Sequence, residues 1–337
     1  MSTGTSLTYN PYTKTYSSKT AKKSNKFSHR SFLTYSSANN NDDQWIGDTM
    51  PPLPDRDHTR FWLQNCNGML TASDVNKYMY EMQQYVNHNI HYISFTETRL
   101  NPAHMYTTYQ TEHGFTQLVK HGRMDIVNTP GFNPSSSYQP GGIAAAFHGR
   151  LADRYSKTIR DPAGRWLIQE FIGKEKPLRI YTLYRVNPKV SKADVSAWAQ
   201  QKRYLQSNNI DDDPRSKVID DIIADITLSI QNGCSILLFG DLNEQINGRE
   251  KTNKRLFEIG LHNVMQQKLF TDNLPRTHKR GKGAIDHVWV TASLFPSING
   301  AGYAPFDHIG NSDHRGIYLD INLKELLDFN IVPLQHI

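Results

Sequence analysis

The stretch Ser235–Asn243, which reads SILLFGDLN, decides the fold of this chain. Its first five residues carry no charge and are almost entirely apolar, which predicts a strand buried within a sheet. Gly240 then ends the strand. Asp241 and Asn243 stand two residues apart, so on an extended chain their side chains point the same way. The stretch therefore predicts a buried strand that delivers a carboxylate and an amide at its end.

Polar residues follow the same pattern at other strand ends. A strand can bury its apolar face and present a polar side chain at its rim, so repetition of this pattern predicts one site assembled from distant segments. Carboxylates and amides without a Cys–His cluster suit a hard cation such as Mg²⁺ or Mn²⁺. The residues at or beside predicted strand ends are Asn65, Asn67, Glu97, Tyr184, Asp241, Asn243, Asp286, Asp313 and His314.

The order of predicted elements defines the fold class. Many strands with a few intervening helices predict an α/β fold: a four-layer sandwich of two packed mixed β-sheets flanked by helices. Two of the strands, 166–172 and 178–184, are expected to form a hairpin. Proline at the start and Asn232-Gly233 at the end delimit a helix over 214–231. The other expected strands cover 61–65, 91–95, 142–148, 284–291, 297–303 and 316–321, and the other helices 191–206 and 252–259.

Three local expectations concern the first half of the chain. Ser73 is expected to cap a helix whose apolar stripe is formed by Val75, Met79, Met82 and Val86. A short helix is expected over 104–109, followed by a strand over 115–119. The Pro, Gly, Ser and Asn residues of 128–142 predict a flexible loop.

Composition limits the compartment and the partners. The chain has 337 residues, of which 37% are hydrophobic, and a mean hydropathy of −0.62. No apolar run approaches the length of a membrane span, so we expect no membrane partner. Two isolated cysteines favour a reducing compartment, the nucleus or cytoplasm. A net charge of +6 and a pI of about 9.1 favour a polyanionic partner.

Three regions are expected along the chain. Residues 1–57 are rich in Ser, Asn and Lys, contain no acidic residue before Asp42, and predict a disordered basic tail. This tail is interpreted as a nucleic-acid-binding arm, a nuclear address, a transit peptide or a solvated leader. The folded domain is expected to begin at Arg60 within the region 58–325, and 326–337 is expected to be a C-terminal extension.

Six motifs, in order, resemble the endonuclease/exonuclease/phosphatase superfamily, which includes deoxyribonuclease I and the apurinic/apyrimidinic (AP) endonucleases. Within it, Tyr184-Arg185 followed by Asn187, and the Gly240–Asn243 turn, look most like the AP-type endonuclease domains of non-LTR retrotransposons. The chain would then be a monomer, and either a fragment of a larger retrotransposon polyprotein, a remnant of one or a free-standing relative. The motifs are Gln64–Gly68, Thr96–Thr98, Leu183–Asn187, Gly240–Asn243, Ile285–His287 and Ser312–His314.

The resemblance implies a Mg²⁺- or Mn²⁺-dependent DNA endonuclease that hydrolyses the P–O3′ bond with an activated water. Glu97 and Asp313 match metal-side carboxylates. Asn67 matches a position that is often Asp, so any ligation by it should be weaker and through water.

The implied catalytic residues are Asp241, Asn243, Asp286, His314 and Tyr184. Asp241 matches the residue that orients or deprotonates the water, or protonates the leaving group. Asn243 and the Tyr184 hydroxyl match phosphate contacts. Asp286 would accept a hydrogen bond from His314 and raise its basicity, and protonated His314 would stabilise charge on the phosphate.

Other residues are expected to bind the nucleic acid. Asn65 would orient its neighbours or the phosphate, and Asn187 would contact phosphate or base. Loops after the strand ends carry basic residues that would form a groove if they share one rim. The basic residues assigned to this groove are Arg185, Lys279, Arg280 and Lys282.

Alternative functions share the same motifs. A phosphoinositide or sphingolipid phosphodiesterase, a deadenylase or another RNA-directed nuclease would have the same centre and different loops. The sequence shows no apolar lipid-docking loop and no leucine-rich repeats. A decayed centre that binds nucleic acid without cutting is the remaining alternative, and the neutral Asn67 favours it.

Overall fold

A computed structural model describes residues 42–55, 57–69, 74–131, 133, 135–188 and 195–327. The chain forms thirteen strands in these residues. They are β1 Ile46–Gly47, β2 His58–Asn65, β3 Tyr92–Thr96, β4 Arg123–Val127, β5 Ile143–Phe147, β6 Tyr155–Arg160, β7 Trp166–Phe171, β8 Leu178–Tyr184, β9 Ser235–Asp241, β10 Leu261–Asn263, β11 Asp286–Thr291, β12 Ile298–Tyr303 and β13 Ile317–Asn322.

Within the same described residues, seven α-helices connect or flank these strands, and short 3₁₀ helices cover Gly149–Arg154 and Phe295–Ser297. None of the helices in the described residues is long and apolar enough to cross a membrane. The α-helices are α1 Val75–Asn87, α2 Met105–Leu118, α3 Ala197–Ser207, α4 Pro214–Gln231, α5 Thr252–Glu258, α6 Val264–Leu269 and α7 Lys324–Leu327.

The strands form two mixed sheets. The seven-stranded sheet has the order β1-β12-β13-β2-β3-β5-β4, and the six-stranded sheet has the order β10-β11-β9-β8-β7-β6. Each sheet contains one parallel pair, β2 with β3 and β8 with β9, and its other pairs are antiparallel. The expected sandwich of two mixed sheets is confirmed.

Alternation along the strands creates the layers, because successive side chains face opposite sides of a sheet. Phe61 and Leu63 of β2 pack between the two sheets, together with Leu237 and Phe239 of β9. Trp62 faces the other way and packs against α1 and α2. The six-stranded sheet buries its outer face under α4 and α5, through residues that include Ile222 and Leu256.

The parallel pairs bring the predicted polar residues to one rim. β2 and β3 both end at this rim, and so do β8 and β9, with Tyr184 in register with Asp241. β11 runs antiparallel to β9 and begins there, with Asp286 opposite Asp241. β13 runs antiparallel to β2, so the residues just before it also lie at this edge.

Ordered structure begins earlier than Arg60, the expected start. Ile46 pairs with Tyr303 of β12, and both Ile46 and Met50 are buried. These side chains gain apolar burial by extending the sheet, which explains why this part of the predicted tail is folded. The predictions for residues 1–41, Ser73, 191–194 and 328–337 lie outside the described residues.

One local prediction in the first half is wrong, and another is only partly confirmed. The segment expected to be a short helix and then a strand is one helix, α2, with Phe115 fully buried against the sheet. In α1, Met82 is buried as expected, and Met79 and Val86 pack partly buried against the same cluster, but the other fully buried positions are Tyr78 and Tyr85, which were not expected. Tyrosine contributes most of this stripe because its ring is buried while its hydroxyl finds a partner, as Tyr78 does at the carbonyl of Thr111.

Candidate active site

Asn65 joins the two sheets at the shared rim. Its side-chain amide donates to Asp241 Oδ2 at 2.8 Å and to Glu97 Oε2 at 3.1 Å. Asn65 ends β2 and Asp241 ends β9, so one amide connects carboxylates that follow strands of different sheets. Its own Oδ1 accepts the backbone N–H of Asn67 at 2.9 Å, which fixes the orientation of the amide.

Asp241 is a buried carboxyl, about 1% exposed, with a hydrogen bond to each oxygen. Asn65 donates to Oδ2, and the backbone N–H of Asn243 donates to Oδ1 at 2.9 Å. Burial and then the nearby charge of Asp286 raise the pKa of Asp241 to about 8, although His314 and Asn65 act in the opposite direction. Asp241 can therefore accept or release a proton near neutral pH.

His314 and Asp286 form a buried pair. His314 Nδ1 lies 2.8 Å from Asp286 Oδ2, and a carboxylate can only accept, so Nδ1 carries the proton. Burial alone would lower the pKa of His314, but the charge and hydrogen bond of Asp286 outweigh it and raise this pKa to about 9. The imidazole is therefore a cation at neutral pH, with Nε2 available to a ligand.

Glu97 follows β3 with a positive φ of 54° and contacts an arginine that the sequence analysis missed. Arg99 Nη2 donates to Glu97 Oε1 at 2.8 Å and also to Asn67 Oδ1. Glu97 and Arg99 stand two residues apart in the loop after β3, and this spacing of an acidic and a basic residue could have predicted their contact. Since Glu97 Oε2 accepts from Asn65, both Glu97 oxygens contact N–H donors in this structure.

Asp313 contacts His278, to which the sequence analysis assigned no role in the site. His278 Nε2 lies 3.2 Å from Asp313 Oδ2, and the His278 and His314 rings are 4.9 Å apart. The backbone N–H of Lys279 donates to the Asp313 carbonyl at 2.8 Å. A second His–Asp pair thus lies beside the His314–Asp286 pair.

Tyr184 lies at the end of β8, beside Asp241 in the sheet, and is almost fully buried. Burial and then the charges of Glu97 and Asp241 raise the pKa of its hydroxyl well above the usual value. The hydroxyl therefore stays protonated and can act as a donor. The side chain of Asn243, the other predicted phosphate contact, already has a partner, because its amide donates to the Arg185 carbonyl at 2.7 Å.

Arg185 does not lie on an open basic surface, contrary to the sequence prediction. Its side chain is 2% exposed and pairs with Glu244 at 3.0 Å and with Glu250. The other residues assigned to the groove are exposed: Lys279, which pairs with Asp307 at 2.6 Å, Arg280 and Lys282. Asn187, the predicted phosphate or base contact, is exposed as well.

Two side-chain groups in the described residues could hold a metal ion, with their ligand atoms within 4.8 Å of one another: Asp241, Asp286 and His314, and His278, Asp313 and His314. Oδ1 of Asp286 and Oδ1 of Asp313 are buried and have no hydrogen-bond partner among the described residues. These unpaired carboxylate oxygens fit a cation at the rim. Glu97 belongs to neither group.

Comparison with known proteins rests on structure alone. No family model matches the sequence, and no curated protein is significantly similar to it. Three of the solved structures that the chain resembles align with it over most of their length. AP endonuclease LMAP from Leishmania major has a TM-score of 0.58 at 12% identity, covering 78% of this chain and 87% of that one. An AP endonuclease from Archaeoglobus fulgidus has a TM-score of 0.52 at 12% identity, covering 78% and 99%.

The third is the catalytic domain of human Nocturnin, with a TM-score of 0.52 at 13% identity, covering 82% of this chain and 95% of that one. The chain has the endonuclease/exonuclease/phosphatase fold. The superfamily fold expected from the six motifs is therefore confirmed, with AP endonucleases among its structural neighbours. The retrotransposon sub-family stays a prediction.

Proposed function

We propose that this protein is a divalent-metal-dependent phosphodiesterase. The observation that carries the proposal is the buried His314–Asp286 pair, which adjoins Asp241 at the rim where both sheets end. A cationic imidazole beside a carboxyl whose pKa is raised to about 8 combines charge stabilisation with proton transfer at one point.

The roles of the side chains follow from their protonation. In its deprotonated form, Asp241 takes a proton from the water whose oxygen attacks phosphorus. The P–O3′ bond breaks on the opposite side, and the leaving O3′ oxygen takes a proton from solvent. Protonated His314 stabilises the charge that builds on the phosphate oxygens, and Asp286 keeps the imidazole oriented. The Tyr184 hydroxyl donates to another phosphate oxygen.

The metal would be Mg²⁺ or Mn²⁺. Asp313, with its unpaired Oδ1, and Glu97 would hold it, and Asn67 would take part through water because Arg99 contacts its Oδ1. Bound metal would supply neutralisation of charge on the phosphate. Oxygen ligands favour these hard ions, whereas the nearby histidines also accommodate softer ones.

DNA is the proposed substrate, and internal cleavage the proposed reaction. The net charge of +6 and the exposed cations of 279–282 support a phosphate backbone as ligand. Two of the structural neighbours are AP endonucleases, which supports DNA over a lipid head group. The monomeric state, the nuclear or cytoplasmic location and a larger retrotransposon polyprotein remain predictions.

A panel of substrates tests this proposal. Supercoiled plasmid, a duplex with one abasic site, single-stranded RNA and sphingomyelin vesicles are each incubated with Mg²⁺ and with excess EDTA. We expect metal-dependent cleavage of DNA, and cleavage of RNA or lipid alone would overturn the DNA assignment. Binding of DNA without any cleavage would favour a non-cutting module, which the contact of Arg99 with both Glu97 and Asn67 makes the second candidate.

A further inference from the structure

Two buried arginines lie behind the turn that carries Asp241 and Asn243. The chain leaves the sheet after Asp241, and Asn243 adopts a positive φ of 47°. The carbonyl of Leu242 accepts from Arg185 Nη1 at 3.3 Å, and that of Asn243 accepts from Arg215 Nη2 at 3.4 Å. The backbone of this turn is therefore held by side chains from other elements.

Arg185 connects the turn to helix α4. Its Nε donates to the carbonyl of Arg215 at 3.0 Å, and its own backbone N–H donates to the Asp241 carbonyl at 2.9 Å. Its backbone carbonyl accepts the Asn243 side-chain amide. Arg185 thus contacts three successive residues, 241–243, through its backbone and its guanidinium group.

Arg215 lies in the first turn of α4. Asp213 caps this helix, and its side chain accepts the backbone N–H of Arg215 at 3.1 Å. Its Nη1 donates to the carbonyl of Val186, just after β8, and its Nη2 reaches the Asn243 carbonyl. Because each guanidinium is a rigid planar fork, the two groups set the spacing between the end of β8, the turn and α4.

Two glutamates balance the charge of these arginines. Glu244 accepts from Arg185, and Glu250 accepts from both guanidinium groups, at 3.0 and 3.2 Å from Arg215 Nη2. The arginine side chains are 2% and 5% exposed, whereas Glu250 is 44% exposed. The guanidinium groups are covered from the solvent side, so their position suits support of the turn and not contact with a polyanion.

We propose that Arg185 and Arg215 are positioning residues of the phosphodiesterase site, and that Glu250 closes the clamp by which they hold the Asp241–Asn243 turn. The inference rests on the proposed function. Arg185 was expected to contact nucleic acid. In this proposal it instead holds the backbone of the turn that carries Asp241.

Lysine substitutions test the clamp because lysine keeps the charge and loses the fork. For Arg215→Lys and Arg185→Lys we expect kcat on plasmid DNA to fall about 10- to 100-fold while KM stays within about threefold. Backbone amide exchange of a peptide covering 241–244 should become about tenfold faster. Glu250→Gln should show the same pattern, weaker, since its hydrogen bonds can partly re-form.

Arg60→Lys is the matched control. Arg60 is fully buried and paired bidentately with Asp320, but it lies near the start of β2, about 16 Å along the strand from Asn65. Its substitution should lower thermal stability and leave kcat and the 241–244 exchange unchanged. All kinetics are measured well below the unfolding temperature of each variant.

The outcomes separate the clamp from the proposed function. The positioning role would be overturned if Arg185→Lys and Arg215→Lys raised KM and left kcat unchanged. It would also be overturned if they lowered kcat no more than Arg60→Lys does. If the unsubstituted protein cleaves none of the substrates, the proposed function fails. Amide exchange then decides the clamp by itself, and unchanged exchange of 241–244 in Arg215→Lys would refute it.

Discussion

At the scale of single residues, Asp286 sets the charge of the site. It is fully buried, and one of its oxygens accepts from His314 while the other has no partner among the described residues. Asp286 also raises the pKa of Asp241 by its charge. One carboxylate therefore influences both the proposed proton acceptor and the proposed phosphate-stabilising cation.

Replacing this carboxylate tests its role. In Asp286→Asn the charge that holds the pKa of His314 at about 9 is removed, so the imidazole should lose its proton at lower pH. We expect kcat to fall about 100-fold and the alkaline decline of activity to move to lower pH. A pH–rate profile of plasmid nicking measures both.

The control for Asp286→Asn is Asp320→Asn, because Asp320 is also a buried carboxylate with a charged partner, the guanidinium group of Arg60. It should lower stability without shifting the pH–rate profile. An Asp286→Asn protein whose alkaline limb stays near that of the unsubstituted protein would contradict the proposed coupling.

The sequence predicted some of these residues and not others, for a physical reason. Asp241, Asp286 and His314 lie next to regular strands, so the strand pattern determines where they emerge. Arg185 follows a strand too, but its direction depends on Arg215 from a distant helix. The spacing of Glu97 and Arg99 permits a contact, but both residues have positive φ, a loop conformation that residue type alone does not predict.

At the scale of elements, Gly316 decides how β13 meets β2. A Cβ at this position would lie 1.9 Å from Trp62 Cζ2, and Trp62 is fully buried. Gly316→Ala should therefore destabilise the protein by about 2 kcal/mol or more. Urea unfolding followed by fluorescence measures the change.

Gly300→Ala is the comparison for this substitution. It lies on the neighbouring strand β12, and a Cβ there would lie 3.3 Å from the Tyr318 hydroxyl and at ordinary contact distances of 3.5 and 3.7 Å from Tyr318 Cε2 and Asp320 Cβ. Its cost should be smaller than that of Gly316→Ala. Equal costs would show that loss of glycine flexibility, and not the contact with Trp62, sets the effect.

The junction between α1 and β3 should weaken in acid. Burial, then the neighbouring His148, lowers the pKa of His91 from 6.5 to about 4. As the pH falls from 6.5 towards 4, the unfolded chain takes up a proton at this position and folded His91 does not, so stability falls. The loss should be about 3 kcal/mol, measured by urea unfolding across this range.

Substitution of His91 measures how much of the fall in stability between pH 6.5 and 4 this residue causes. His91 Nδ1 accepts the backbone N–H of Arg60 at 3.0 Å, and an asparagine oxygen can accept the same bond. His91→Asn should flatten the dependence of stability on pH between 6.5 and 4. An unchanged slope would show that other groups cause the acid loss.

The elements that the sequence failed to predict have weak patterns. β6 has no fully buried position, with a burial pattern of intermediate and exposed residues throughout, so no apolar alternation marks it. Asp125 lies in the middle of β4 and is buried, and its carboxylate accepts hydrogen bonds from Arg123, Thr158 and Gln169. A buried acid within a strand is stable only with these partners, which a single segment does not contain.

At the scale of the whole molecule, the site depends on the packing of two sheets. Neither sheet alone contains both Asn65 and Asp241, and the core between the sheets fixes their separation. The motif order was sufficient to predict the superfamily fold. The partners of each side chain required the packed structure, because they come from loops and helices far apart in sequence.

The measurement that tests the central claim is nicking of supercoiled plasmid in Mg²⁺ by the unsubstituted protein, by Asp241→Ala and by His314→Ala, with Asp320→Asn as the stability control. We predict Mg²⁺-dependent nicking that EDTA abolishes, that Asp320→Asn retains, and that each of the other two variants loses by about 100-fold or more. Nicking that survives EDTA, or that both site variants retain, would contradict the account.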